Sequence, residues 1–304
     1  MAVAPRAVVV HRATPLEELV ARHGTRGQAE FFLRSRGRTL DEVQGQHDRV
    51  QAALREVAGA IPLDWRRAGV ERADLAGFPF GPQDVVVVVG QDGLVANVAK
   101  YLDAQPVLGV DPEPGVNPGV LVRHRPGDAR RLLPRLAEGA AVPMRRLTMA
   151  QAVTDDGQQL RALNEVFLGP ATHQTARYVL SGPQGRQERQ ASSGVLAGTG
   201  TGATGWLASV HQATGGGFRL PDPSDPVLAW FVREAWPSPS TGASLTAGLV
   251  GGPGALADAE VLSLRIESDS LVVFGDGIES DRLVVSWGQT VRIGVAPSTL
   301  ALIG

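Results

Sequence analysis

The 304-residue chain contains no cysteine. Disulfides, thiol nucleophiles and thiolate metal sites are therefore excluded. It also lacks any apolar run approaching the ~20 residues that a membrane span needs. Its start, Met1 to His11, is too short and too soon charged for a secretory leader. A formal net charge of -2 gives no general pull toward nucleic acid or an anionic membrane. Neither partner is expected, and a cytoplasmic protein is. Lysine is scarce beside arginine, glycine, alanine and valine, which reads as coding bias and not as function. His11, His23, His47, His124, His173 and His211 show no metal-ligand spacing, so no protein metal site is assigned. Ser192-Ser193-Gly194 has no nucleophile-elbow pattern.

What is present centres on one stretch, Asp84-Val85-Val86-Val87-Val88-Val89-Gly90-Gln91-Asp92-Gly93-Leu94. An uninterrupted valine run does not alternate, so it reads as a strand buried on both faces of a parallel sheet. Gly90 ends the run and Gly93 permits a second tight angle. Apolar residues at 94, 95, 98, 99 and 102 then follow helical spacing. Strand, glycine turn and helix form a unit whose first-turn amides can hold phosphate. Asp92 is the one carboxylate inside that turn.

Around this unit the chain is long enough for two domains. Ala7 to Val10 reads as a first buried strand. Thr14-Pro15 starts a helix at Leu16, Gly24 to Gly27 interrupts it, and Gln28 to Arg36 resumes it. Leu40, Val43, His47, Val50, Leu54 and Val57 mark an amphipathic helix over 40–58. Residues 65–82 carry no assigned element. Pro106 to Val110 is the next strand and completes a βαβ unit. Asp111 to Gly119 is a Pro/Gly loop at its carboxyl end, where ligands sit in open α/β sheets. A helix covers Asp128 to Leu136, and Gly139 begins a connector. From Pro143 onward short β-prone runs dominate: 145–153, 160–168, 176–181, 186–196, 244–250, 261–266, 271–274, 282–285, 290–293 and 299–303. Ala203 to Gln212 is the one helix in that half. The expectation is an α/β domain with an open, mostly parallel sheet over 1–140. A β-rich, sandwich-like domain follows over 141–304, with its last strands returning to the first.

Two further motifs carry chemistry. Gly198-Thr199-Gly200-Thr201-Gly202-Ala203-Thr204-Gly205-Trp206 follows an apolar strand and opens the only helix of the second half. Hydroxyls and bare amides there make an anion or nucleotide cradle; the alternative is a loose loop with a threonine cap. Asn164-Glu165 lies in an apolar strand, where neighbours point to opposite faces. One of the two is then buried and needs a partner, such as a ribose diol; the alternative is that Glu165 faces solvent. For the Gly90–Gly93 turn the alternative is Asp92 as a helix cap.

In order and spacing, these three motifs resemble those of the NAD kinase family, within the wider group that includes diacylglycerol and sphingosine kinases. That family carries Gly-Gly-Asp-Gly after a buried strand, an Asn-Asp/Glu pair, and a Ser-Thr-Pro-Thr-Gly-Ser-Thr-Ala-Tyr segment. The resemblance covers about residues 84–304 and includes Pro106–Val110, Gly275-Asp276-Gly277 and the closing strands. It implies an ATP-dependent kinase that phosphorylates a hydroxyl of NAD or a related nucleotide-like metabolite with Mg²⁺ or another divalent cation. Asp92 is then the general base. Gly90, Gln91, Gly93, Thr199, Thr201 and Gly202 lie along phosphate and ribose. Asn164, Glu165, Thr204, Gly205 and Trp206 hold the acceptor, with Trp206 near its ring. A homo-oligomer, dimer or tetramer, is expected as for other sheet-rich second domains.

The chain departs from the pattern at Gln91, where the family has glycine, and at Ser193, where it has an acid. Gly198-Thr199-Gly200-Thr201 also stands for Ser-Thr-Pro-Thr, and the Arg-rich first 80 residues are unlike the usual start. A non-catalytic nucleotide sensor on the same fold is the rival reading, favoured by Gln91. A kinase of a lipid or specialised metabolite is the third.

Overall fold

The computed structural model describes residues 4–116, 119–137, 142–252 and 261–304. The chain divides into two compact units, 1–145 with 301–304, and 146–300. The connector expected from Gly139 and the boundary expected at 140/141 lie outside the described residues, as do Asn117 and Pro118.

The first unit is built on a parallel sheet. Strands β1 (Arg6–His11), β2 (Arg66–Glu71), β3 (Asp84–Val89) and β4 (Pro106–Val110) lie in the order β2-β1-β3-β4, all parallel. Ala301 and Leu302 continue the sheet beyond β4, again in parallel. The valine run is buried over its whole length. Val85, Val87 and Val89 join a core with Ala53, Val57, Leu132 and Leu133. These come from helices α3 (Leu40–Ala60) and α5 (Ala129–Ala137). Val86 and Val88 are fully buried on the other face. That two-sided burial is why the run does not alternate. Helix α1 (Pro15–His23) opens with a capping box between Thr14 and Glu17, and α2 (Arg26–Arg34) follows Thr25 as its cap. Helix α4 (Asp92–Ala99) follows the glycine turn and is buried from Leu94 to Ala99.

The sequence reading leaves β2 unassigned. Its residues, Arg-Arg-Ala-Gly-Val-Glu, are mostly exposed at the sheet edge, so no apolar pattern marks them.

The second unit holds two antiparallel sheets. In one, β16 (Thr290–Ile303), β13 (Leu262–Ile266), β8 (Ala176–Ser181) and β9 (Gln187–Ser192) neighbour each other in that order. To this sheet β5 (Met144–Thr154) and β6 (Gln159–Ala162) are added beside β16. The other sheet runs β12 (Ala247–Val250), β11 (Leu228–Arg233), β10 (Gly194–Gly198), β7 (Glu165–Gly169), β14 (Ser270–Gly275) and β15 (Ile278–Ser286). Both contribute to a single apolar core that includes Leu168, Tyr178, Val195, Trp230, Leu264 and Ile293. This is a sandwich-like arrangement. Helix α6 (Trp206–Ala213) follows a 3₁₀ turn at Gly202–Thr204.

Four strand readings need correction. Strand β11, Leu-Ala-Trp-Phe-Val-Arg, lies inside its sheet beside edge strand β12 and carries no assigned element in the sequence reading. Residues 160–168 are two strands broken by a bend at Leu163-Asn164. Residues 186–196 are likewise two strands, because Gly194 takes φ +125°. Residues 290–303 form one strand, not two.

One close approach fixes the carboxyl end of the parallel sheet. A Cβ on Gly109 would come within 2.2 Å of the Leu121 carbonyl oxygen. The returning loop lies directly on β4 there, and His124 N donates to Gly109 O at 3.2 Å. Gly109→Ala should therefore cost about 1–3 kcal/mol by forced displacement of the loop. A urea midpoint equal to that of the wild type would contradict this placement.

Candidate functional site

Adjacent parallel strands β3 and β4 end side by side, with Val89 opposite Val110. Gly90 N donates to Val110 O at 3.0 Å, which holds the glycine turn against the end of β4. Gln91 is the extended N-cap of α4, and its side chain makes no capping bond. The first-turn amides of α4 are thus left without a side-chain cap, as a helix start that meets an anion requires. A cavity of about 210 Å³ opens here, lined by Gly90, Gln91, Asp92, Gly93, Asp111, Gly119 and Val122. A Cβ on Gly93 would meet nothing within 4 Å, so packing does not require glycine at that position. A second cavity, of about 380 Å³, shares Asp111, Gly119 and Val122 and adds Arg123, His124 and Arg125.

Asp92 lies in the cavity wall as expected, but its carboxylate is occupied. Its Oδ2 accepts Val120 N–H at 2.8 Å, and Oδ1 accepts Leu121 N–H at 2.8 Å and Val122 N–H at 3.0 Å. Asp92 does not cap its own helix. It clamps the returning loop that forms the opposite wall.

In the second unit the other motifs converge on the bend at Leu163-Asn164. Asp276 accepts the amides of Leu163 at 2.8 Å, Asn164 at 2.7 Å and Glu165 at 3.4 Å. Asp276 and Gly277 form a two-residue turn between β14 and β15, at φ +54° and +67°. Asp-Gly suits such a turn because both central residues need positive φ. The Gly/Thr segment approaches from the other side. Thr199 N donates to Asn164 O at 2.8 Å, and the Thr199 hydroxyl donates to Leu163 O at 2.5 Å. The same hydroxyl accepts Thr201 N–H at 3.1 Å. Thr199 is fully buried and ties the segment to the bend. Gly202 must be glycine, since a Cβ would sit 2.6 Å from Asn164 O and 3.1 Å from Glu165 Oε2.

The Thr201 hydroxyl is buried without a hydrogen bond among the described residues. Beside it the Glu165 carboxyl is half-buried. Burial, and then the charge of Asp276, push its pKa from 4.5 up to about 7. Glu165 therefore does not face solvent as an ordinary surface carboxylate. Thr204 and Gly205 are exposed at the start of α6, and Trp206 is half-buried. The Trp206 ring packs 5.6 Å from Phe167 and lies under the Arg233 guanidinium at 5.4 Å.

The predicted residues thus form two clusters. Gly90, Gln91, Asp92 and Gly93 meet in the first unit. Asn164, Glu165, Thr199, Thr201 and Gly202 meet in the second, followed in the chain by Thr204, Gly205 and Trp206. Sequence reasoning missed Asp111 and Asp276. Asp276 had a signal in its Asp-Gly pair between two β runs; Asp111 had one in its place just past a buried strand. Among the described residues no three His, Asp or Glu side chains group as a metal site. No helix there is long and apolar enough to cross a membrane.

No family model and no curated protein matches the sequence. The fold does match solved structures. An NAD kinase from Archaeoglobus fulgidus in complex with ATP superposes with a TM-score of 0.58 at 15% identity, over 98% of this chain and 93% of that one. A yeast NADH kinase complexed with NADH gives 0.62 at 12% identity, over 99% of this chain and 83% of that one. The chain has a two-domain NAD kinase-like fold.

Because the folded-state pKa of Glu165 lies above 4.5, its contribution to stability is present at low pH and lost as pH rises through about 7. Glu165→Gln removes that loss. Its stability relative to the wild type should rise by as much as roughly 3 kcal/mol between pH 4 and pH 8. A pH-independent difference in denaturation midpoints would show that Glu165 is not held in this environment.

Proposed function

We propose that the protein is an ATP-dependent kinase that phosphorylates a hydroxyl of NAD or a related nucleotide-like metabolite. The observation that carries this reading is the buried Thr201 hydroxyl without a partner, beside the near-neutral Glu165 carboxyl, on an NAD kinase-like fold. A buried hydroxyl and a near-neutral carboxyl call for a ligand rich in hydroxyls that both donate and accept. A nucleotide ribose is such a ligand.

In this reading Asn164 and Glu165 hold sugar hydroxyls and adenine. At neutral pH Glu165 is about half protonated, so it can donate to one hydroxyl and accept from another. Thr199 shapes the cradle, Thr201 and Gly202 line phosphate and ribose, and Thr204, Gly205 and Trp206 border the acceptor ring. In the first unit Gly90, Gln91, Gly93 and the uncapped amides of α4 receive phosphate. Asp92, which the resemblance makes the general base, holds the loop facing them.

No ready-made cluster of metal ligands exists among the described residues. Mg²⁺ is bound through substrate phosphates, water and one or two carboxylates and needs no protein cage. When bound it offsets phosphate charge; the protein contributes positioning and amide donors. A homo-oligomer is part of the proposal. Val284 and Trp287 are exposed on or beside edge strand β15, and Leu249 on edge strand β12.

The second reading, a nucleotide sensor without turnover, is favoured by Gln91 in the cavity wall. Its side chain occupies a place where bare backbone would let phosphate approach.

Purified protein with ATP, Mg²⁺ and NAD should form NADP. Thr201→Val, which keeps the volume and removes the hydroxyl, should weaken NAD binding about tenfold in calorimetry, as the loss of one buried hydrogen bond does. Tight NAD binding without phosphoryl transfer would select the sensor, and no binding would remove both readings.

A further inference from the structure

We infer that α1 and α2 together form a binding site for a small anionic aromatic compound, a flat ring that carries a phosphate or a carboxylate. The site lies within the first unit and shares no lining residue with the cavities at the glycine turn. It does not depend on the kinase reading.

Helix α2 has one ordinary side. Ala29 and Leu33 are buried there, and Leu33 packs with Leu16 of α1 and Val43 of α3. A second side is unusual for a helix that meets water, where polar residues are expected. Gln28, Phe31, Phe32, Ser35 and Arg36 recur along it at three-and-four spacing. With Arg22 and His23 of α1 they line a cavity of about 540 Å³. That is the size of a small-molecule site. Phe31 leaves 75% of its surface exposed beside it. One exposed aromatic is ordinary; here it adjoins a second ring and two guanidinium groups.

The charge of this wall has one sign. No carboxylate lines it. Arg22 is exposed and makes no ion pair or hydrogen bond among the described residues. The Arg36 guanidinium lies 3.8 Å over the Phe32 ring, and its Nη1 donates to Phe32 O at 3.2 Å and Ser35 Oγ at 3.0 Å. These contacts hold Arg36 in place and leave its Nε and Nη2 without a hydrogen bond among the described residues. A planar fork fixed in this way suits a phosphate or carboxylate. Arg34 on the same helix differs, since it is paired with Glu30 at 2.5 Å and does not line the cavity.

His23 supplies a further, independent observation. Its ring packs 4.4 Å from Phe32, and its Nε2 is buried without a hydrogen-bond partner among the described residues. A buried ring nitrogen calls for a partner. In this wall the oxygens of an anion held by Arg22 and Arg36 can supply one, while its ring stacks on Phe31.

Phenyl phosphate is the probe, with inorganic phosphate and phenol as its separate halves. Binding is read by calorimetry and by the nuclear magnetic resonance of the His23 ring, whose signals the His23→Phe variant identifies. Phenyl phosphate should bind and move those signals, and each half should bind at least about tenfold more weakly, as loss of a stacked ring or of charge-assisted bonds does. Arg22→Ala and Phe31→Ala, both at exposed positions, should keep the wild-type melting temperature. They should weaken phenyl phosphate about tenfold and about fivefold. Arg34→Ala should leave its affinity within about twofold, as an exposed pair does. Unmoved His23 signals, affinity unchanged in Arg22→Ala and Phe31→Ala, or an equal loss in Arg34→Ala would each overturn the site. Inorganic phosphate that binds as tightly as phenyl phosphate overturns it too, because the ring is part of the claim. So does a wild-type oligomer that Phe31→Ala dissociates in sedimentation, which would make this face a contact between copies of the chain.

Discussion

In each unit one aspartate gathers three successive backbone amides, and the geometry of both clusters follows from that interaction. Successive residues of a regular strand turn their N–H groups in opposite directions. Three that converge on one carboxylate require the chain to bend. Asp92 imposes such a bend on residues 120–122 and Asp276 on residues 163–165. The alternative arrangement would leave buried amides without acceptors, which folded chains avoid. Because the acceptor is ionised, each bond is worth roughly twice a neutral one. In both cases the aspartate precedes a glycine, Gly93 or Gly277. The two glycines serve different ends. Gly277 takes a positive φ that its turn demands, whereas Gly93 has neither a positive φ nor a neighbour that would exclude a Cβ.

The clamps decide which polar groups remain available. In the first unit the loop held by Asp92 closes one side of a cavity whose other lining residues are the glycine turn and Asp111. In the second, Asp276 and Thr199 satisfy the backbone of the bend from both sides. Among the described residues the buried Thr201 hydroxyl is then left without a partner, beside the half-buried Glu165 carboxyl. The charge of Asp276 also adds to burial in raising the Glu165 pKa to about 7. The same carboxylate that shapes the bend therefore tunes the group the bend presents. A rigid backbone with a few unsatisfied side chains is what a binding site looks like before its ligand arrives.

Much of the frame was legible because it obeys local rules. The valine run announces two-sided burial, Thr14-Pro15 starts α1, and the three-and-four spacing of Leu40, Val43, His47, Val50, Leu54 and Val57 gives α3. Strand β2 was not legible, since an edge strand with exposed arginines carries no apolar pattern. Strand β11 is an apolar run that the reading passed over between two loops. The bend at Asn164 could not be read locally either: it is made by Asp276, 112 residues away. Residues Asn164, Glu165 and Thr201 were singled out by motif, but the reason they matter is tertiary. Asp111 escaped because nothing near it in sequence shows that the chain beyond it returns to form a cavity wall there.

The central claim is that ionised aspartates, not loop packing, hold these bends. Native-state hydrogen exchange of the amides of Val120, Leu121 and Val122 measures it most directly. The account predicts strong protection of all three in the wild type, lost selectively in Asp92→Asn while the amides of Leu163, Asn164 and Glu165 keep theirs. Rapid exchange at 120–122 in the wild type, or protection unchanged by Asp92→Asn, would contradict it.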